Sequence, residues 1–273
     1  MGTAFRDPRA ALRQAGLKPR KELGQNFLRD EGAVAAILES LPATPRHVLE
    51  IGPGTGVMTR GLVASGREVV AVETDPALVS LLGVELASAP ARVILGDALK
   101  VDLASLVAAP YAVFGNIPYH ITGALIPRLL ALAPPPEWVC VLVQLEVAER
   151  LCAEPGGWSL ATLAVRAFAD AELVLTVPAH AFEPAPKVES ALVMLTPHAA
   201  AEFADRGFFD FARAVFQERR KQLPNGVANA LNHDQAAGRA VVARAGFDPA
   251  RRPQTLDLGE WGVLYRAFKE RLL

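Results

Sequence analysis

The stretch VLEIGPGTGVMTRGL (48–62) decides the fold class, because it joins a strand, a glycine-rich turn and a helix. Gly52, Gly54 and Gly56 follow the apolar strand at alternate positions. Such a turn lets the backbone approach a ligand at the edge of a parallel sheet. The dinucleotide pattern G-x-G-x-x-G requires a glycine where this chain has Val57, which disfavours a pyrophosphate-binding loop. A tight connection that binds no ligand is the alternative that this turn alone leaves open.

Short apolar runs alternate with helical patterns along most of the chain. Amphipathic stretches beginning near Val57, Pro76 and Ile121 follow individual runs, which predicts parallel strands with helices on both faces of the sheet. A proline-rich turn between the last two runs predicts an antiparallel hairpin at the sheet edge. The strand candidates are 47–51, 68–72, 92–96, 111–115, 138–145, 172–177 and 189–197.

The C-terminal segment 201–273 contains no convincing strand, and its apolar residues recur with a helical period. We therefore predict two domains, with a boundary near 198–206. The first is an α/β domain over 1–200 that includes a basic N-terminal arm over 1–30, and the second is a small α-helical domain over 201–273. A chain of 273 residues, 51% of them apolar, is long enough for both cores.

Charge is distributed unevenly along the chain, although the net charge is only −1. Residues 1–30 carry a net charge of +4, residues 31–200 carry −8, and residues 201–273 carry +3. Basic ends suit a polyanionic partner, and an acidic centre suits a cationic ligand. An unevenly charged, solvated surface accounts for this pattern equally well.

Several classes of protein are disfavoured by composition. No apolar stretch reaches the roughly 20 residues of a membrane span, and the N-terminus has no apolar core of a secretory signal. Cys140 and Cys152 are the only cysteines, and no Cys/His cluster has metal-ligand spacing. These features predict a cytoplasmic protein with reduced thiols, without a metal and without a membrane partner. A monomer is the default expectation.

Two acidic residues follow the next two predicted strands. Glu73 ends the second strand, 21 residues after Gly52, where a carboxylate can accept both hydroxyls of a ribose. Asp97 follows the third strand and can accept a hydrogen bond from an adenine amino group. Each could instead cap a helix. Three successive strand ends of this kind predict an adenosine-containing ligand, and acidic side chains suit a cationic sulfonium better than a pyrophosphate.

The fourth strand ends in Asn-Ile-Pro-Tyr (116–119). The amino nitrogen of adenine is a poor nucleophile, because its lone pair is delocalised into the ring. The Asn116 side-chain oxygen and a backbone carbonyl beside Pro118 can accept both amino hydrogens and favour the nitrogen that attacks. Tyr119 can stack on the base. Methyl transfer from a sulfonium releases a neutral thioether, so it requires no metal and no strong general base, and positioning supplies most of the acceleration.

This tetrad resembles motif IV of amino-methyltransferases, in the N-[IL]-P-Y form of the ribosomal RNA adenine dimethyltransferases. Three further stretches resemble signatures of that family, in family order: KELGQNFLRD (21–30), FEPAPKVESALV (182–193) and RRKQLPNGVANAL (219–231), the last with Pro224 where a helix would continue. The resemblance is closest to the KsgA/RsmA-type enzymes. It implies a Rossmann-like class I methyltransferase sheet and S-adenosylmethionine-dependent N6,N6-dimethylation of two adjacent adenosines. In that family, the two adenosines lie in the 3′-terminal hairpin of 16S rRNA, and the substrate is the precursor of the small ribosomal subunit.

The resemblance also implies roles for individual residues. Phe182 is expected to stack on a flipped-out base opposite Tyr119, which places it in the catalytic set with Asn116 and Pro118. The basic residues expected to contact RNA phosphates are Lys21, Arg219, Arg220 and Lys221, with some of Arg6, Arg9, Arg13, Lys18 and Arg20. The cofactor-binding residues it implies are Asn26, Leu28, Gly52, Gly54, Glu73, Asp97 and Asn116.

Four other functions are alternatives to this one. An antibiotic-resistance branch of the same chemistry modifies large-subunit RNA, but the 219–231 segment and the full 182–193 block favour the small subunit. DNA adenine methyltransferases usually have an acidic first tetrad residue and a target-recognition insert. This chain has Asn116 at that position and no such insert. Val57 and the tetrad disfavour a nicotinamide-dependent oxidoreductase. The intact tetrad also disfavours a ribosome-assembly factor that has lost catalysis.

Overall fold

Nine strands appear in the computed structural model, which describes residues 5–199 and 205–272. They are β1 (Phe27–Leu28), β2 (His47–Ile51), β3 (Glu68–Glu73), β4 (Ala91–Leu95), β5 (Tyr111–Asn116), β6 (Val139–Gln144), β7 (Ala169–Val177), β8 (Phe182–Glu183) and β9 (Ser190–Pro197). Seven of them form one sheet in the order β4-β3-β2-β5-β6-β9-β7, and β1 and β8 form a separate pair. All seven predicted strand segments are confirmed, with ends that differ by at most a few residues.

The strands of the sheet run in one direction from β4 to β6. Adjacent members of the series β4, β3, β2, β5 and β6 pair in parallel, whereas β9 pairs with β6 in the antiparallel sense. The carboxyl ends of the parallel strands therefore share one edge with the first residue of β9. The predicted α/β fold, mostly parallel with an antiparallel edge, is confirmed.

Three helices, which begin at Val57, Pro76 and Thr122, connect parallel strands as the amphipathic patterns predict. The described residues form eleven α-helices in all. They are α1 (Pro8–Gln14), α2 (Glu31–Ser40), α3 (Val57–Ala64), α4 (Pro76–Glu85), α5 (Thr122–Leu130), α6 (Leu145–Leu151), α7 (Leu160–Arg166), α8 (Arg206–Gln217), α9 (Leu223–Leu231), α10 (Gln235–Arg244) and α11 (Leu258–Leu272). Gly56 precedes α3 with a φ of 78°, and Asp75 caps α4 by accepting the Ala77 N–H at 3.0 Å.

The core around the sheet is formed by inward-facing strand residues and by the apolar faces of the helices. Val48, Phe114 and Cys140 are fully buried there with Ile37 and Leu62. Burial raises the pKa of the Cys140 thiol. This cysteine therefore behaves as a small apolar core residue, because the reactive thiolate is suppressed.

The pair β1–β8 has no counterpart among the predicted strands. Phe27 pairs with Glu183 and Leu28 pairs with Phe182, although more than 150 residues separate the two segments. The Arg29 N–H extends the contact by donating to the Ala181 carbonyl at 2.8 Å. Two of the signature stretches, 21–30 and 182–193, are thereby joined.

The chain divides into two compact units. We call the part up to Ala148 together with Asp170–Pro197 the sheet unit, and Glu149–Ala169 with the described residues from His198 onward the helical unit. The predicted boundary near 198–206 falls partly outside the described residues. The observed division differs from the predicted one in assigning Glu149–Ala169 to the helical unit.

The helical unit has an aromatic-rich core of its own. Phe208, Phe211 and Trp261 are buried in it, and the Phe211 and Trp261 rings meet edge to face. Pro224 lies in the first turn of α9, where a missing backbone N–H costs no helical hydrogen bond. The proline in this signature stretch therefore starts a helix and does not interrupt one.

Candidate active site

A cavity of about 290 Å³ opens at the carboxyl edge of the parallel strands. Its lining combines the turn after β2, the ends of β3 and β5, the residues after β4 and the arm segment 23–28, which includes β1. The lining includes nine of the predicted site residues, which are Asn26, Leu28, Gly52, Gly54, Glu73, Asp97, Asn116, Pro118 and Tyr119. Residues spread over more than 90 positions of the sequence therefore meet at one site.

The glycine-rich turn needs its glycines for two reasons. Gly52 and Gly54 have φ values of 71° and 59°, which side chains other than glycine rarely adopt. A Cβ atom on Gly54 would also lie 2.8 Å from Cδ1 of Phe27. The turn thus keeps a close contact with the arm, whose segment 23–28 forms one wall of the cavity.

Glu73 is held in place by backbone donors. Its side chain accepts hydrogen bonds from the N–H groups of Gly54, Thr74 and Asp75 at 3.2, 2.8 and 2.9 Å. Burial raises the pKa of this carboxyl, and the three backbone donors oppose that rise. The result is a fixed carboxylate at the end of β3 that lines the cavity.

Glu50 is a second buried acid of the cavity, and the sequence interpretation missed it. It is 1% exposed, and burial raises the pKa of its carboxyl to about 7. Thr59 lowers this pKa, although neither Glu50 Oε2 nor Thr59 Oγ1 has a hydrogen-bond partner within the described residues. Its signal in the sequence is a charged residue inside an apolar strand, since unpaired carboxylates are rarely buried without a purpose.

Asp97 lies on a loop that is anchored from a distance. Its pKa is lowered, first by the N–H of Leu99, which donates to it at 2.9 Å, and also by Lys100. Arg128 of α5 donates to the carbonyls of Ala98 and Val101 at 3.0 and 2.6 Å. The helix that follows the tetrad therefore fixes the loop that carries Asp97.

The tetrad is oriented by the arm. Asn116 Nδ2 donates to the Asn26 carbonyl at 2.9 Å, which leaves Asn116 Oδ1 without a partner among the described residues. Ile117 is buried, and the Pro118 carbonyl accepts the N–H of Ile121 at 3.1 Å. The amide oxygen of Asn116 is thus the acceptor that remains available at the cavity.

Further hydrogen bonds attach this arm to the residues that follow β3. Gln25 Nε2 donates to Asp75 Oδ2 at 3.1 Å, and Gln25 Oε1 accepts the Arg20 N–H at 2.8 Å. Arg20 Nη1 also lies 3.8 Å from Asp75 Oδ1. The segment that carries Asn26 and Leu28 is therefore bound to the strand ends on both sides of the cavity.

Phe182 lies elsewhere. The structure buries it at 2% exposure in the core of the sheet unit, and it is absent from the lining of the cavity. Its backbone pairs with Leu28, which does line the cavity. Stacking of Phe182 on a base stays a prediction, and it requires a rearrangement that exposes this ring.

The basic residues fall into two groups. Arg6, Arg9 and Arg20 of the arm form ion pairs with Glu85, Glu183 and Glu22 respectively, so acidic side chains of this chain already bind them. Lys21 is exposed at the surface of the sheet unit. In the helical unit, Arg219, Arg220 and Lys221 are exposed in the turn after α8 and line a surface pocket, with Lys221 paired to Glu218 at 2.9 Å.

Neither a metal site nor a membrane span is found within residues 5–199 and 205–272. No three His, Cys, Asp or Glu side chains in these ranges come together in a way that could hold a metal ion. No helix formed by the same residues combines the length and apolar character needed to cross a bilayer.

Comparison with known proteins identifies the family. The model of the family described as ribosomal RNA adenine dimethylase matches residues 16–258. A ribosomal RNA small subunit methyltransferase A of Dehalococcoides mccartyi is 39% identical over 261 residues, which are 93% of this chain and 90% of that protein.

Two crystal structures share the fold. A dimethyladenosine transferase of Plasmodium falciparum has a TM-score of 0.76 at 23% identity, covering 90% of this chain and 98% of that one. The 23S rRNA methyltransferase ErmE has a TM-score of 0.70 at 28% identity, covering 89% of this chain and 100% of that one. Because the family model matches residues 16–258 of the 273 residues, the chain belongs to the ribosomal RNA adenine dimethylase family.

Proposed function

We propose that this protein transfers methyl groups from S-adenosylmethionine to N6 of two adjacent adenosines in the 3′-terminal hairpin of 16S rRNA, producing N6,N6-dimethyladenosines. The observation that carries the proposal is the single cavity in which the glycine-rich turn, Glu73, Asp97 and the tetrad meet. Family membership supports the chemistry, and the name of the Dehalococcoides relative supports the small subunit as target. The substrate would be a precursor subunit in the cytoplasm, approached by a monomer.

The acidic side chains of the cavity fit the proposed cofactor. Glu73 can accept the ribose hydroxyls, and Asp97 can accept the adenine amino group. Glu50 adds a buried oxygen that lacks a hydrogen-bond partner among the described residues, and a cationic ligand would compensate its charge. S-adenosylmethionine, when bound, supplies a methyl group on a positively charged sulfur.

The tetrad supplies the acceptors that the target nitrogen needs. Asn116 Oδ1 has no partner among the described residues and can accept one amino hydrogen. The Pro118 carbonyl is occupied by Ile121, so we assign the second acceptor to the Ile117 carbonyl. These two oxygens favour the nitrogen whose lone pair has left the ring, and a preorganised acceptor contributes more in a water-poor site than in solution. Tyr119 can stack on the base.

The test is methylation of ribosomal particles lacking the modification. Small subunits and large subunits are incubated separately with the protein and with methyl-labelled S-adenosylmethionine, and the label is mapped by nucleotide. Label on two adjacent adenosines of the 3′-terminal hairpin of 16S rRNA is expected. Label on the large subunit alone would contradict the proposal and favour the activity named for ErmE.

Replacing Glu73 with alanine is expected to weaken S-adenosylmethionine binding about 10- to 100-fold, because hydrogen bonds to a charged group contribute about 1.5–3 kcal/mol. The variant also leaves the N–H groups of Gly54, Thr74 and Asp75 without their acceptor. Isothermal titration calorimetry measures the dissociation constant. The exposed Glu39, replaced with alanine, is the control that should bind normally. An unchanged constant for Glu73→Ala would remove this residue from the cofactor site.

Charge reversal of the basic turn should weaken RNA binding. We expect glutamate at positions 219, 220 and 221 to lower affinity for small-subunit RNA and to flatten its salt dependence by about 0.7–0.9 for each phosphate that the turn no longer neutralises. Filter binding over a series of salt concentrations measures both quantities. Arg206, Arg213 and Arg244 provide a control triple of exposed arginines in the helical unit that pair with acidic residues. Equal effects of the two triples would show that only net charge matters.

A further inference from the structure

The buried Ser190 meets the tetrad at a partly buried hydrogen bond. Its Oγ lies 2.8 Å from the hydroxyl oxygen of Tyr119, and its side chain is 1% exposed. Among the described residues, each of these two hydroxyls has the other as its only hydrogen-bond partner. Burial raises the pKa of the Tyr119 phenol, and the contact with Ser190 opposes this rise.

The topology of the sheet explains why a residue so distant in sequence reaches the tetrad. The tetrad begins at the last residue of β5, Asn116, which pairs with Leu142 of β6. Because β9 is antiparallel to β6, its first residue, Ser190, pairs with Gln144 at the carboxyl end of β6. The antiparallel strand therefore starts at the edge where the parallel strands end.

The hydrogen bond restrains the tyrosine ring at its far end. The backbone side of Tyr119 is fixed by the buried Ile117 and by the turn at Pro118, while Ser190 holds the hydroxyl. A ring anchored at both ends has lost its rotational freedom before a ligand arrives. Preorganisation of this kind improves binding, because less order remains to be imposed when the complex forms.

We propose that Ser190 is a positioning residue, which holds the Tyr119 ring in the orientation that stacks on the target adenine. The proposal rests on the proposed function, since it takes Tyr119 as the stacking residue. It gives the serine of the 182–193 block a role separate from that of Phe182. Ser190 itself does not line the cavity, so it acts through the tyrosine.

A double-mutant cycle tests this role. We expect Ser190→Ala to lower kcat/KM for unmethylated small subunits about 3- to 10-fold, the factor that corresponds to the loss of one hydrogen bond. Tyr119→Phe, which removes the other hydroxyl and keeps the ring, should give the same loss. The double variant should be no worse than either single variant, because the same bond is removed in all three. Ser190→Thr, which keeps a hydroxyl, should recover activity.

Two measurements separate positioning from a general loss of structure. Ser40 does not line the cavity, and its hydroxyl donates to the Ile37 carbonyl at 2.7 Å. The control variant Ser40→Ala, which removes this hydroxyl, should keep normal kcat/KM. The chain has three tyrosines, so labelling at Cζ gives three carbon signals, and the signal lost in Tyr119→Phe identifies Tyr119. Ser190→Ala should shift that signal and should leave S-adenosylmethionine affinity unchanged.

The possible contrary results distinguish a failure of the role of Ser190 from a failure of the proposed function. Normal kcat/KM in Ser190→Ala or in Tyr119→Phe, or losses that multiply in the double variant, would overturn the role of Ser190. An unshifted Tyr119 signal in Ser190→Ala would overturn it as well, and this measurement requires no RNA. Failure of the wild-type protein to label any adenosine would overturn the proposed function instead, and the carbon signal would still decide whether Ser190 holds Tyr119.

Discussion

Replacing Asn116 with alanine should reduce kcat for methyl transfer by about 100-fold or more, the loss expected when one preorganised group is removed from a transition state. The side-chain oxygen is the group lost, and it lies at the cavity with no partner in the described part of the chain. Single-turnover assays with small subunits and labelled S-adenosylmethionine measure this rate. Cofactor affinity should change far less, because Glu73 and Asp97 remain.

The structure adds a condition to this experiment. Asn116 Nδ2 also binds the Asn26 carbonyl at 2.9 Å, so its loss loosens one attachment of the arm. Gln25 keeps its bond to Asp75 in the variant, which should hold the arm near the cavity. Calorimetry with S-adenosylmethionine checks that point, and Asn232→Gly is the control, because this exposed asparagine has a φ of 53° that glycine adopts easily. A rate within about tenfold of the wild type would exclude the assigned role.

Much of this site could be predicted because its residues follow strands that are visible in the sequence. Gly52, Glu73, Asp97 and Asn116 come directly after apolar runs or end them, and parallel strands bring such positions to one edge. Only local patterns and one topological rule were needed. The same reasoning predicted the seven strands of the sheet.

The remaining features depend on contacts between distant segments. The pairing of Phe27 with Glu183, and the bond from Tyr119 to Ser190, have no periodicity that a local pattern could reveal. Glu50 gave a signal, but its burial became clear only once the helices around β2 were in place. The motif that contains Phe182 identifies the residue, but it does not indicate whether the side chain lies in a cavity or in the core, and the structure places it in the core.

Glu50 is expected to make stability depend on pH. Its pKa rises from the ordinary value of 4.5 to about 7 in the folded protein, chiefly because burial disfavours the charged form. Between these values the folded protein keeps a proton that the unfolded chain has released. The free energy of unfolding therefore falls as pH rises through this window. At about 1.4 kcal/mol for each pKa unit, the loss reaches about 3 kcal/mol and is complete about one unit above the folded-state pKa.

Glu50→Gln should remove that loss. Glutamine has nearly the size of the protonated carboxyl and stays neutral, so the variant should match the wild type near pH 4.5 and exceed its stability at pH 8 by about 3 kcal/mol. Urea unfolding without cofactor, measured from pH 4.5 to 8, gives both curves. The exposed Glu39, replaced with glutamine, should follow the wild-type curve. Parallel curves for Glu50→Gln and the wild type would show that Glu50 does not titrate in this range.

Cofactor binding should change in the opposite direction, which separates a functional acid from a merely tolerated one. A sulfonium cation in the cavity favours the ionised form of Glu50, so the affinity of the wild type for S-adenosylmethionine should increase as pH rises toward 7 and should level off above it. Glu50→Gln should lose this increase and bind the cofactor more weakly at pH 8, although it is the more stable protein. If the variant gained stability and kept the pH-dependent affinity, the buried charge would have no part in recognising the cofactor.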